Sequence, residues 1–136
     1  MAYQFRRIAP GDFDPNIGVG FFLPFNSPSC FSSTYTSADA IKNNLINWFL
    51  TNKGERLLQP NFGGNLRQFI FQQLATGTLE DVEEEVQTQL NLYFPSIIVQ
   101  NLEITQNQTT QDININITYS ISETNIQDNL TLLLQT

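Results

Sequence analysis

Glu55 is the residue most open to a catalytic reading, because it stands in the densest polar and glycine-bearing stretch of the chain, TNKGERLLQPNFGGNLRQFIF (residues 51–71). A carboxyl can serve as a general acid, but glycoside hydrolysis ordinarily needs two carboxyls about 5–10 Å apart across a cleft. No second acid stands near Glu55 in the sequence. Five acids cluster farther on (Glu80, Asp81, Glu83, Glu84, Glu85). They fall on a helical stretch and read as a solvated face, with the earliest of them favouring a helix N-terminus. The chain has no histidine and a single cysteine, Cys30. Ser–His and Cys–His couples are therefore impossible, and no Ser–Lys couple is visible. Zinc and most transition metals lose their usual ligands. The piece FGGN (residues 62–65) could open a helix toward a phosphate, but no P-loop lysine follows it, and a plain turn is the better reading. The expectation is a protein that is not an enzyme and that holds neither cofactor nor metal.

Composition points toward assembly. Charged residues make up 14% of the 136-residue chain, against a typical share of about 25%. Asn, Gln, Thr and Ser take their place, and a surface so poor in charge is weakly protected against association. The charge is also unevenly placed. All six basic residues lie in residues 1–67 beside four acids, giving +2, whereas residues 68–136 hold nine acids and no base. No basic face is available to neutralise phosphates, so nucleic acid is not an expected partner. The acidic half favours basic protein partners. A disulfide framework is excluded. The opening MAYQFRRIAPGDFD lacks an apolar core of signal-peptide length, and no segment approaches the roughly 20 apolar residues that span a bilayer. A cytoplasm-like compartment and no membrane partner are expected. The three Asn-x-Thr sequons then read as ordinary strand and loop chemistry.

Around these residues the elements are legible. Residues 1–35, rich in proline, glycine and aromatics, sustain no period and read as an extended N-terminal arm. A single domain is expected over 36–136. Thr36 or Ser37 caps a helix over 37–52, with Ile41, Leu45, Trp48 and Phe49 as its apolar stripe and Gly54 as its left-handed stop. Residues 55–60 read as extended, with Glu55 and Arg56 on opposite sides and one of them tied into a polar cluster with Arg67. Gly63 and Gly64 turn the chain, and Asn65 caps a short second helix containing Leu66, Phe69 and Ile70. A third helix starts at a Thr78 cap boxed with Asp81, buries Val82, Val86, Leu90 and Tyr93, and ends at Pro95. From Ile97 the period changes from helix to strand. Three runs, 97–106, 112–121 and 126–134, predict an antiparallel meander with one apolar face. The fold class is α+β, with about three helices followed by a three-stranded sheet. The strand edges lack the lysines that block strand addition, which invites pairing with another chain.

The same stretch carries a family resemblance. LTNKGERLLQPNFGGNLRQFIF resembles the signature L-T-x-x-G-E-R-x-x-x-P-x-F-G-x-x-L-x-x-x-x-F of the baseplate wedge proteins of contractile-tail phages, and is similar to the sheath-initiator subunit of type VI secretion systems. The segment GVGFFLP, the Ser-Thr-Tyr-Thr run before the first helix and the isoleucine-alternating meander fit as well. The resemblance implies a structural subunit that sits in the tail baseplate of the virion, is assembled in the host cytoplasm, and is present in six copies. Its partners would be other wedge proteins and the tail sheath protein. Gly54, Glu55, Arg56, Pro60, Phe62, Gly63 and Arg67 would form the joint toward the wedge. Ile113, Ile115, Ile117, Tyr119, Leu130 and Leu132 would belong to a sheath-facing sheet that offers the first sheath ring a strand template. Phe94-Pro95-Ser96 stands where many relatives have Glu-Pro-Arg, so any contact made by that charged pair is in question. Two other functions stay open from the residues alone. One is a small muramidase with Glu55 as acid, and the other is an adaptor that binds extended peptides by strand addition.

Overall fold

The computed structural model describes residues 16–23, 32–70, 76–107, 109–122, 124 and 126–135, with backbone only at 69–70 and 76–78. The chain divides into two compact units, Met1–Trp48 and Phe49–Thr136.

In the first unit, strands β1 (Gly20–Phe21) and β2 (Ser33–Thr34) pair antiparallel ahead of helix α1 (Ser37–Leu50), whose last two residues belong to the second unit. Thr36 is the cap: its hydroxyl donates to Asp39 Oδ2 at 2.7 Å and accepts from the Asp39 N–H at 3.4 Å. Ala38, Leu45, Ile46, Trp48 and Phe49 are buried along α1, and Ile41 is half-buried. The described part of the arm is not free. A Cβ on Gly20 would lie 2.9 Å from Thr34 Oγ1 and 3.3 Å from the Ala40 Cβ, so glycine lets β1 close on β2 and on α1. The Leu23 N–H donates to Asn43 Oδ1 at 2.7 Å, while Asn43 Nδ2 donates to the Asp39 carbonyl at 2.7 Å. Buried Asn43 therefore stitches the arm to the helix. The expected arm is, in residues 16–23 and 32–35, a short β pair held on α1. Cys30 and the remainder of the arm lie outside the described residues.

The second unit carries a one-turn helix α2 (Arg67–Ile70), a long helix α3 (Thr76–Tyr93) and a sheet of β3 (Ile97–Gln106), β4 (Ile113–Ile121) and β5 (Gln127–Leu134) in the order β3-β4-β5, all antiparallel. The meander and the α+β class follow the period-2 reading closely. The helices differ from it in two places. The second is a single turn, so two long helices dominate. The third begins at Thr76, which puts Thr78 inside the helix rather than at its cap and leaves the first turn without an acid. The helix start therefore lies two residues ahead of the expected cap, because a start depends on the chain that precedes it as well as on a cap-forming residue.

The sheet core is a product of alternation. Ile113, Ile115, Ile117, Tyr119 and Ile121 on β4 are all buried, as are Leu130 and Leu134 on β5. On β3 the parity changes: Ile97 is buried at one end and Ile104 at the other, an odd and an even position. A bulge between Val99 and Asn101 accounts for it, since one extra residue shifts every later side chain to the opposite face. Val82, Val86 and Leu90 are the buried stripe of α3, which packs along β3.

Candidate functional site

Two features of the second unit can do more than fold: the joint at 51–67 and the edges of the meander. The joint is a closed loop, not an extended segment. The Gly54 N–H donates to the Pro60 carbonyl at 2.7 Å, which ties the two ends of residues 54–60 together. Gly54, at φ +90°, ends the α1 region as expected. Gly63 has φ +124°, and a Cβ there would lie 2.5 Å from the Thr51 carbonyl oxygen. That carbonyl also accepts from the Asn65 N–H at 3.3 Å. The residues after α1 thus press directly on the turn before α2, and only glycine leaves room for the contact. Asn65 is itself left-handed, at φ +52°, and its amide donates to Gln68 Oε1 at 2.7 Å. This is a side-chain bridge across the start of α2, in place of the expected cap on a backbone N–H.

Glu55, Arg56 and Lys53 of the joint each have a partner close by. Glu55 accepts from the Asn52 N–H at 3.1 Å and from Asn52 Nδ2 at 2.8 Å. These two bonds hold its carboxyl below the ordinary value of 4.5, the backbone bond most strongly, with the charge of Arg67 only the least of the causes. The expected polar cluster of Glu55 exists, but its main partner is Asn52, three residues back. Arg56 lays its guanidinium 3.7 Å from the centroid of the Phe62 ring. Phe62 is buried and meets Tyr93 of α3 edge to face, with centroids 5.3 Å apart at 77°. Lys53 reaches Glu85 of α3 at 2.9 Å. Both groups are partly exposed, so this pair contributes at most about 1 kcal/mol. The joint is pinned to α3 chiefly by the Arg56–Phe62–Tyr93 stack. Pro60 is exposed and closes the loop through its carbonyl, and Arg67 is exposed at the start of α2. Between the pinned ends, Leu57 and Leu58 are each 97% exposed. Sequence reading gave them no role, because a pair of leucines in a loop carries no signal of exposure.

The meander residues singled out by resemblance line one face of the sheet. Ile113, Ile115, Ile117, Tyr119 and Leu130 are at most 4% exposed and Leu132 is half-buried. These side chains turn toward the interior, because an alternating strand with one covered face turns its apolar set inward. What the sheet offers outward is its other face and its backbone edges. The two edges are unlike. On β3, the outward N–H of Ile104 donates to Glu83 Oε1 of α3 at 2.8 Å. One member of the acid cluster read as a solvated face is thus an internal cap on the first edge. On β5, the bond from the Ile121 N–H to the Ile126 carbonyl sets the phase of the ladder, so Gln127, Asn129, Thr131 and Leu133 turn their N–H and C=O groups away from β4. The Asn129 N–H is taken by Asp128 Oδ1 at 2.9 Å. Gln127, Thr131 and Leu133 present theirs at the edge, with side chains exposed.

At the α3–β3 corner, Phe94 is half-buried and its backbone closes both elements, donating to the Leu90 carbonyl at 2.8 Å and accepting from the Ile97 N–H at 3.0 Å. Among the described residues no group of three His, Cys, Asp or Glu side chains is placed to hold a metal ion. No described helix is long and apolar enough to cross a membrane.

The family model of the baseplate wedge protein gp25 matches residues 36–126. The chain belongs to that family. The match spans α1, the joint, α3, β3 and β4, so the resemblance carried by LTNKGERLLQPNFGGNLRQFIF extends well beyond that stretch. Among solved structures, the chain is similar to a Geobacter sulfurreducens protein provisionally named a tail lysozyme. The two share 25% identity at a TM-score of 0.66, covering 76% of this chain and 95% of that one. It is also similar to a chain in the sixfold-symmetrised cryo-EM structure of the anti-feeding prophage baseplate. There the identity is 18% and the TM-score 0.51, over 80% of this chain and 77% of that one, a likeness of fold alone. A comparison with curated proteins found no match. As a gp25 family member, this wedge protein is a component of a tail baseplate.

Proposed function

We propose that this baseplate wedge protein is a structural, non-enzymatic subunit that links the wedge to the tail sheath and initiates sheath assembly through its C-terminal strands. The joint at 51–67 faces other wedge proteins and the meander faces the sheath. Six copies enter each baseplate in the host cytoplasm, a stoichiometry in keeping with the sixfold symmetry of the anti-feeding prophage assembly.

The observation that carries the reading is the asymmetry of the two sheet edges. Helix α3 packs along β3 and its Glu83 takes the outward N–H of Ile104, while β5 turns the backbone of Gln127, Thr131 and Leu133 outward with no lysine along the strand. A sheath subunit that donates a strand would extend the sheet there. Each added backbone bond contributes roughly 0.5–1.5 kcal/mol net, so one contact is weak, and repetition around a ring makes it firm through effective concentration.

Truncating the chain before β4 is a poor test, because it removes the buried isoleucines of β4. Thr131→Pro is the sharper one. It deletes an outward N–H on an edge strand, where proline is tolerated, without touching the core. Sheath polymerisation in vitro would be seeded by baseplates carrying either protein. Ordered sheath from the wild type and little from Thr131→Pro supports the reading, provided the variant folds and enters baseplates. Equal growth from both removes it.

The muramidase reading draws on the name of the Geobacter sulfurreducens protein. Glu55 argues against it: its carboxyl is exposed and held ionised by Asn52, whereas a general acid at neutral pH needs its pKa raised. Purified wild type is expected to release no soluble fragments from peptidoglycan. Turnover that disappears in Glu55→Gln would reverse this conclusion.

A further inference from the structure

Leu57 and Leu58 are the largest unexplained exposure on the described surface, both at 97%. We propose that they form an anchoring knob that inserts into an apolar pocket, rimmed by acidic groups, on another protein of the baseplate wedge. This inference rests on the wedge-linking reading of the joint and names the side chains that carry it.

Three observations converge on the knob. The loop is preorganised: the Gly54–Pro60 hydrogen bond closes it, the two Asn52–Glu55 bonds hold one flank, and the Arg56–Phe62–Tyr93 stack pins the other to α3. A rigid loop loses little freedom on docking, so its apolar tip contributes most of its burial to affinity. Adjacent leucines held this fully in water, when the same unit buries Leu66 and Phe62 a few residues later, are apolar area left for a partner to cover.

The charge around the tip sets the partner's rim. Lys53 is matched by Glu85, while exposed Arg56 and Arg67 stand against the single carboxylate of Glu55. Residues 54–67 taken alone carry two cations against one carboxylate in a chain whose net charge is −7, which favours an acidic rim on the partner at this loop. Membership of the baseplate wedge family makes a neighbouring wedge protein the occupant. A lipid surface fits poorly: even one myristoyl chain anchors a protein only marginally, and two leucine side chains are smaller.

The test titrates the labelled full-length chain onto wedges assembled from the other wedge proteins of the same tail. Wild type, Leu57→Ser/Leu58→Ser and Leu57→Met/Leu58→Met would be compared, with anionic phospholipid vesicles as a separate probe. The expected result is a roughly 100-fold weaker Kd for the serine pair, the scale set by leaving two leucines in water. Binding by the methionine pair should stay close to wild type, with an unchanged thermal midpoint for both variants and no binding to vesicles. Wild-type affinity in the serine pair overturns the knob while leaving wedge linkage standing. Failure of the wild type to bind wedges overturns the linkage reading, and the knob with it. Leucine-dependent binding to vesicles, or leucine-dependent self-association, overturns the choice of partner.

Discussion

The joint and the meander solve the same problem, holding a surface in a fixed shape, by opposite means. The meander uses repetition. Ile113, Ile115, Ile117 and Tyr119 recur every second residue, and the buried face follows from the pleat. No described residue of its strands has a positive φ. The joint uses exceptions. It contains both described positive-φ glycines and one of the two described non-glycine residues with positive φ, together with a carboxylate turned back on its own chain and a guanidinium on a ring. The meander should therefore fail through lost volume and the joint through lost fit. The first failure costs global stability, and the second alters local shape and docking.

The largest expected effect lies in the meander. Ile115 is completely buried on the central strand, so Ile115→Ala should cost about 2–5 kcal/mol in chemical denaturation. A loss below about 1 kcal/mol would mean that the sheet is not the core of its unit.

Gly63→Ala comes next, at about 3 kcal/mol, because it combines a left-handed backbone with a Cβ driven into the Thr51 carbonyl. Gly54→Ala is its control. Gly54 has positive φ but nothing within 4 Å of a new Cβ, so strain alone should cost about 1 kcal/mol. If the two substitutions cost the same, the close approach at Gly63 is not what holds the joint.

Glu83→Ala strands the N–H of buried Ile104 and should cost about 1–3 kcal/mol. It should also speed amide exchange at Ile104 relative to neighbouring β3 residues. Unchanged protection there would show that α3 does not close that edge.

Glu55→Gln should have a smaller effect, and one that depends on pH. The folded carboxyl titrates below its ordinary value of 4.5, so its contribution is complete above that pH and is lost as pH falls through the folded value. The stability difference between wild type and Glu55→Gln should therefore be present at neutral pH and vanish in acid. A difference that grows on acidification contradicts the Asn52 assignment.

Smallest of all, Leu57→Ser/Leu58→Ser should change stability by less than about 0.5 kcal/mol. The joint's most exposed residues would then matter to docking and hardly at all to folding.

The amino-acid sequence by itself determined whatever is periodic or capped locally. The bounds of β3 to β5 follow from alternation, the start of α1 from Thr36 with Asp39, its stop from Gly54, and the family from the spacing between Leu50 and Phe71. The caps and stops lie within one or two turns of chain, where side-chain chemistry acts on its own backbone, and the strands and the family signature are continuous stretches of sequence. Tertiary structure alone decided which way the isoleucine stripe faces. It also decided that Glu83 serves Ile104 across 21 positions, that residues 54–60 close into a loop, and that Gly63 is required by a carbonyl twelve residues earlier. None of these is periodic. Each depends on two distant segments being brought together by burial elsewhere, and only the assembled fold supplies that proximity.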